Sequence, residues 1–345
     1  MVSTNERLIG GPSLLKGRVT ISDVAQQAGV SKATVSMALR GLPEISEKTR
    51  ERVGELAKEM GYRADPSLSK IAASRWRNRK AQQGSTLAMI EILSDGEDAV
   101  AEGEMSVNAK SQAESLGYGF EFFAVKSGKQ LSTLARSLFH RGIDGVLFSM
   151  RGSELADELF PVEKFACVTI GCSGIIEGID NVDTDARSEI VTSFKRLTES
   201  GASRIGLVLS GANEDLENDF VRRGLFEGLM KKHSPSETPA PVLNFAASDR
   251  DDLAAWVAEN QLEAVIAYDD RLYDELSDCD VDFVSLATDG RNGEICGISR
   301  SDERIGVLGI ERLDHLVRLG IRGRRAESTR FHVSGTWIEG RSFRV

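Results

Sequence analysis

VTISDVAQQAGVSKATVSMALR, residues 19–40, holds two short helical patterns joined by a tight turn. Thr20 and Asp23 form a T-x-x-D box of the kind that caps a helix start. Ile21, Val24, Ala25 and Ala28 recur at helical spacing and give the first helix one apolar face. Gly29 ends it, because glycine turns there without a steric cost. Ser31 caps a second helix, with Val35, Met37 and Leu39 among its apolar residues. Two helices meeting at a glycine turn predict either a helix-turn-helix, whose second helix enters a DNA major groove, or an ordinary αα-hairpin.

Working outward, Ser46 caps a third helix over 47–60, with Val53, Leu56, Ala57 and Met60 facing the other two. The next stretch, 63–80, reads RADPSLSKIAASRWRNRK. Pro66 suits a helix start there, with Asp65 as its cap. A helix of about two turns is marginal alone in water, because nucleation is costly. It reads either as a helix that folds on contact or as a basic linker. From Ser85 the pattern alternates between buried strands and helices. Strands are expected at 86–93, 119–124, 145–150 and 166–170, with helices at 106–116 and 131–141 between them. After Asn181 the rhythm repeats, with helices at 190–199 and 220–232 and strands at 205–209, 264–268 and 283–286. Residues 233–241, rich in Pro and Ser, read as a surface loop. This β-α-β order predicts two parallel-sheet lobes with a ligand cleft at the strand carboxyl ends.

The chain has 345 residues and a net charge of −10, which looks wrong for a nucleic-acid binder until it is divided. Residues 16–80 hold 14 Lys/Arg against 7 Asp/Glu, whereas residues 81–345 hold 28 against 45. The basic part can release counterions from DNA phosphates, while the acidic part is repelled from the duplex. Apolar runs fall short of the roughly 18 residues that span a membrane. Residues 1–17 lack the apolar core of a secretory signal and read as a disordered tail, so the expected compartment is the cytoplasm. Cys167, Cys172, Cys279 and Cys296 form no C-x-x-C pair and read as reduced core thiols, with a redox switch as the alternative.

The run D-V-A-x-x-A-G-V-S-x-x-T-V-S, Asp23 to Ser36, resembles the headpiece of the lactose/galactose repressor (LacI/GalR) family. The resemblance continues through Ser46-Glu-Lys-Thr-Arg-Glu-Arg-Val53 and Gly61-Tyr62. More loosely, it takes in 198–208 (TESGASRIGLV), Ala264-Val-Ile-Ala-Tyr-Asp-Asp270 and 335–342 (GTWIEGRS), so that it covers about residues 18–342. It implies a small all-α helix-turn-helix headpiece over 18–62, a hinge helix and linker over 63–80, and over 81–345 an α/β periplasmic-binding-protein-like effector and dimerisation domain. It also implies a homodimeric repressor that binds a pseudo-palindromic operator under the control of a sugar-like effector. No leucine heptads follow Trp337, so a dimer without a tetramerising tail is expected.

Lys32 and Ala33 occupy the first exposed turn of the second helix. Lysine can donate to guanine O6/N7, and alanine can offer a methyl to thymine. In the family these positions help set operator preference. The resemblance makes Met37 and Ile21 further base-contact candidates, with Met37 equally readable as a core residue. Thr20, Ser31, Thr34 and Ser36 can donate to phosphates through their hydroxyls. Arg40, where the family often has asparagine, can reach a phosphate itself. At the hinge, Ile71 stands where the family has a leucine wedged into the minor groove, with Ser67 and Lys70 beside it. Ala64 replaces the family's usual proline there. In the effector domain the family's R-x-x-G arginine position holds Val221, with Arg222 a substitute that helix geometry turns about 100° away. Asp269, where the family often has asparagine, and Asp289 complete the effector candidates; all three are also readable as solvated or structural charges.

Other classes find little support. Ser67-x-x-Lys70 matches a β-lactamase fragment without its partner motifs. Dinucleotide, Walker A and H-E-x-x-H signatures are missing, so neither enzyme chemistry nor a cofactor is expected. Asp180, Asp183 and Asp185 could bind a cation, but without the glycine and terminal glutamate of a calcium loop they read rather as a solvated turn. Two rival readings remain: a ligand-binding module with a nonspecific DNA anchor, and a regulator with no effector.

Overall fold

The computed structural model describes residues 19–39, 45–62, 85–93, 103–126, 128–150, 160–171, 176–210, 217–233, 240–245 and 252–343. The expectations for residues 1–17, Arg40, the hinge with Ser67, Lys70 and Ile71, and Cys172 lie outside them. The chain divides into two compact units, Met1–Trp76 and Arg77–Val345.

In the first unit three helices, α1 (Ile21–Ala28), α2 (Lys32–Leu39) and α3 (Glu47–Glu59), enclose one small core. Val24, Ala25, Ala28, Val35, Ala38, Val53 and Ala57 are buried in it. Four of these seven are alanines, which let short helices approach closely. Of the apolar residues of the second helix, Val35 and Ala38 are buried and Leu39 is exposed. Gly29 closes α1 in the left-handed region at φ 63°, where its own N–H and that of Val30 reach back to the Gln26 and Ala25 carbonyls.

The second unit holds two six-stranded sheets. The first contains β1 (Thr86–Ile92), β2 (Gly119–Val125), β3 (Gly145–Met150), β4 (Ala166–Ile170), β5 (Asp180–Thr184) and β11 (Arg330–Val333), in the order β2-β1-β3-β4-β5-β11 and wholly parallel. The second contains β6 (Ile205–Ser210), β7 (Val242–Phe245), β8 (Ala264–Ala267), β9 (Asp282–Thr288), β10 (Cys296–Ser299) and β12 (Trp337–Ile338). Its order is β7-β6-β8-β9-β10-β12, parallel except for the last pair. Buried on both faces, such strands are near-continuously apolar. Alternation still sorts their side chains: Ile205, Leu207 and Leu209 join one core layer, and Val208 joins the opposite one. Helices α4 (Glu104–Ser115), α5 (Gly128–His140), α6 (Ala186–Glu199), α7 (Glu217–His233), α8 (Asp252–Glu259) and α9 (Asp302–Leu319) complete the unit. α7 extends through His233, the first residue of the expected surface loop. Among the described residues no helix is long and apolar enough to cross a membrane.

The chain crosses between the lobes three times. It passes from β5 into α6, whose Ile190, Phe194 and Leu197 pack with the second sheet's core. It returns after β10 into α9, which packs on α4, β3 and β4. Gly306 allows that packing, since a methyl there would collide with the Met105 carbonyl oxygen. The third passage joins β11 to β12. Hydrogen bonds tie the crossings together: Ser334 Oγ donates to Asp185 Oδ2 (2.9 Å), and Ser299 N–H to the Thr336 carbonyl (2.8 Å).

The segment expected to be a solvated turn of carboxylates is instead the strand β5, with Asp180, Asn181 and Asp183 all buried. Each has a hydrogen-bonded partner. Arg312 of α9 donates through Nε to Asp180 Oδ2 (2.5 Å), Arg325 pairs with the other oxygen, and the Thr329 N–H donates to Oδ1 (2.6 Å). Asn181 donates to Thr169 Oγ1 (3.0 Å).

Candidate functional site

In the first unit the polar residues of the turn serve the helix ends. Asp23 Oδ2 accepts from the Thr20 N–H (2.7 Å) and hydroxyl (2.8 Å), while the Thr20 oxygen accepts from the Asp23 N–H. These two bonds from Thr20 hold the Asp23 carboxyl below its ordinary pKa, and Lys32 adds a smaller push in the same direction. Ser31 Oγ accepts from the Thr34 N–H (3.0 Å) and shares a bond with Thr34 Oγ1 (2.9 Å). Thr20 and Ser31, two of the hydroxyls expected at phosphates, therefore also set the starts of α1 and α2. We expect Thr20→Ala to cost about 1 kcal/mol of headpiece stability and to raise the Asp23 titration midpoint, as read by carbonyl chemical shifts. An unchanged midpoint would show that the backbone bond alone sets it.

Lys32 is exposed at the first position of α2 and, among the described residues, has no ion pair. Ala33 follows on the same turn. Met37 is half-buried and lies outside the core cluster, which leaves part of it at the surface. Ile21 packs partly against that core. Ser36 is half-buried. The second helix thus presents a lysine at its N-terminal turn, with two capped helix starts beside it. Backbone N–H groups at helix starts suit phosphate oxygens.

In the second unit the three effector candidates are held by their own neighbours. Arg222 of α7 donates through Nε and Nη2 to Glu189 Oε2 of α6 (3.1 and 2.8 Å) and through Nη1 to Asp219 Oδ1 (2.8 Å). Burial works against its charge, but Glu189 and Asp219 outweigh this and push its pKa up. Asp269 accepts from the Arg271 N–H (2.8 Å) and Nε (2.7 Å) and also faces Arg300. Burial alone would raise the Asp269 carboxyl; the bonds from Arg271 and both arginine charges hold it low. Asp289 accepts from the Arg291 N–H (2.9 Å) in a turn. These contacts favour the structural reading of all three charges.

One residue not foreseen joins the lobes directly. Asn218, at the start of α7, donates to Asp183 Oδ2 of β5 (2.8 Å). Burial pushes the Asp183 carboxyl up, against the bonds from Thr184 N–H and Asn218 and the charge of Arg222. A strand read as a turn offered no sign of this pairing. Two cavities open among the described residues of this unit. One, about 510 Å³, is lined by Lys129, Gln130, Thr133, Leu134 and Ser137, all from one face of α5, and gathers no converging chemistry. The other, about 290 Å³, lies at the carboxyl end of β6 between Leu209, Ser210, Asp219, Phe220, Arg223 and Asn244.

Comparison with known proteins agrees with this architecture. Residues 20–65 match the family described as "Bacterial regulatory proteins, lacI family". The maltose regulon regulatory protein MalI of Escherichia coli (strain K12) is 28% identical over 183 residues, 53% of this chain and 50% of that protein. The chain spans between 50% and 59% of the length of the first curated relatives it matches. Among solved structures, the transcriptional regulator CelR–cellobiose complex is similar in fold at 19% identity, with a TM-score of 0.55, over 93% of this chain and 98% of that one. So is the lac repressor dimer bound to operator and the anti-inducer ONPF, at 17% identity, TM-score 0.54, over 92% and 98%. A capped helix-turn-helix that matches the lacI family over residues 20–65, followed in the chain by two doubly wound lobes crossed three times, makes the protein similar to the LacI/GalR regulators in both units.

Proposed function

We propose that this protein is a sequence-specific DNA-binding transcriptional regulator, a repressor that engages a pseudo-palindromic operator as a homodimer under small-molecule control. The observation that carries the reading is α2: a short, rigidly capped helix whose first turn offers the exposed Lys32 beside two helix starts. One such helix reads only a few base pairs, and two-fold pairing supplies the second half-site. The segregation of charge, basic over residues 16–80 and acidic beyond, supports a DNA-facing first unit. Ligand-dependent movement of the lobes would act on the three tied crossings and on the Asn218–Asp183 bond, which gives coupling a physical route.

Selection from a random duplex library with the full chain tests this. A palindrome with a flexible central step is expected; salt-sensitive binding without a motif would reduce the headpiece to a nonspecific anchor. Lys32→Ala is expected to lower discrimination at one base pair by about 1–3 kcal/mol. Equal losses on all sequences would make Lys32 a phosphate contact. The carbohydrate effector implied by resemblance has Arg222 against it, since that side chain is committed to Glu189 and Asp219.

A further inference from the structure

Asp219 and Arg223 stand one turn apart on α7, an acid four residues ahead of a base, a spacing at which the two ordinarily pair. Here each turns elsewhere. Asp219 Oδ1 accepts from Arg222 (2.8 Å), and Arg223 donates through Nη2 to Asn244 Oδ1 of β7 (2.6 Å). Both line the 290 Å³ recess at the end of β6. Asp219 is 5% exposed, and its Oδ2 accepts no hydrogen bond among the described residues. A buried carboxylate oxygen without a donor is costly.

The charges of the recess are unbalanced in two places. On the acid side one guanidinium, Arg222, serves both Asp219 and Glu189, which leaves a negative excess. On the base side Arg223 meets a neutral amide, which leaves a positive excess. Phe220, 77% exposed, stands at the rim. The recess also adjoins the point where the strand order of the second sheet reverses, the place where doubly wound sheets bind ligands.

We propose that this recess takes a zwitterion, a free α-amino acid, whose ammonium donates to Asp219 Oδ2 and whose carboxylate accepts from Arg223. Phe220 then covers its side chain. A neutral sugar would satisfy hydrogen bonds but neither charge, a simple amine would leave Arg223 unanswered, and a simple acid would leave Asp219 so. The assignment names the effector class for the small-molecule control proposed above, and rests on that reading only for its regulatory consequence.

Calorimetric titration of the full chain, without DNA, tests it with each common L-α-amino acid, and with glucose and galactose. The amine and the carboxylic acid derived from any amino acid that binds complete the set. At least one amino acid is expected to bind, neither of its half-analogues should, and Arg223→Gln and Asp219→Asn should each weaken it by about tenfold or more. Because Asp219→Asn also disturbs Arg222, Phe220→Ala serves as a second variant that weakens binding without lowering the melting temperature. Failure of every amino acid to bind, or sugar binding that survives Arg223→Gln, overturns the proposal. An amino acid that binds without altering operator affinity leaves the assignment standing and removes only the regulatory reading.

Discussion

Asp180→Ala is expected to lower the stability of the second unit by about 3–5 kcal/mol, the range for breaking a buried ion pair from one side. The side chain is fully buried and gathers Arg312 from α9, Arg325, and the Thr329 N–H ahead of β11. Its loss leaves two guanidiniums facing a void and one backbone donor unpaired. Calorimetry should show a drop of roughly 10 °C in the melting temperature of this unit. A drop below about 2 °C would mean that the arginines find water or other acceptors. The same side chain sets an acid limit. Burial resists its charge, but Arg325, Thr329 and Arg312 hold the carboxyl below its ordinary 3.8. The folded state therefore gains stability above that value and loses it as pH falls toward the depressed folded pKa. Asp183, three residues on, has the opposite sign: its pKa is raised, so protonation removes a penalty rather than a benefit. Asp180→Asn should flatten the acid side of the stability curve at a lower plateau.

Val53→Asp is expected to unfold the headpiece alone. Val53 is wholly buried among six other residues, most of them alanines. A core that small leaves only a few kcal/mol of net stability, and an unpaired buried carboxylate costs at least as much. Affinity for duplex DNA should fall by about a hundredfold or more, while the second unit melts within about 1 °C of the parent. A tenfold loss or less would show that DNA itself restores the three helices. A matching fall in the second unit's stability would show that the units do not fold separately.

The headpiece was readable because its instructions are local. Thr20, Asp23, Gly29, Ser31 and Ser46 act on residues at most four or five away, and the structure uses each as its spacing implied. The central strands were equally plain, since β3 and β4 are bounded apolar runs. β5 was not. Its sequence DNVDT carries four polar side chains in five, and nothing nearby says that they are satisfied. The partner of Asp180 is Arg312, 132 residues later, and that of Asp183 is Asn218, 35 later. Arg222 shows the same limit from the other side. Spacing could say that it faced away from the position of Val221, but only the fold shows that Glu189 and Asp219 meet it there.

The triple crossing has a consequence for the order in which the protein can be made. The first sheet takes its edge strand, β11, and a covering helix, α9, from residues 302–333, after the whole second sheet except β12 has been synthesised. Until those residues emerge from the ribosome, β5 has a bare edge and Asp180 has neither arginine. The headpiece, in contrast, can close as soon as residue 62 is clear. A nascent chain would therefore carry a closed three-helix unit and an open first lobe from about residue 184 until residue 333 has emerged. Exposed strand edges of that kind invite pairing with other chains, so residues 302–333 act as the clasp that ends the exposure.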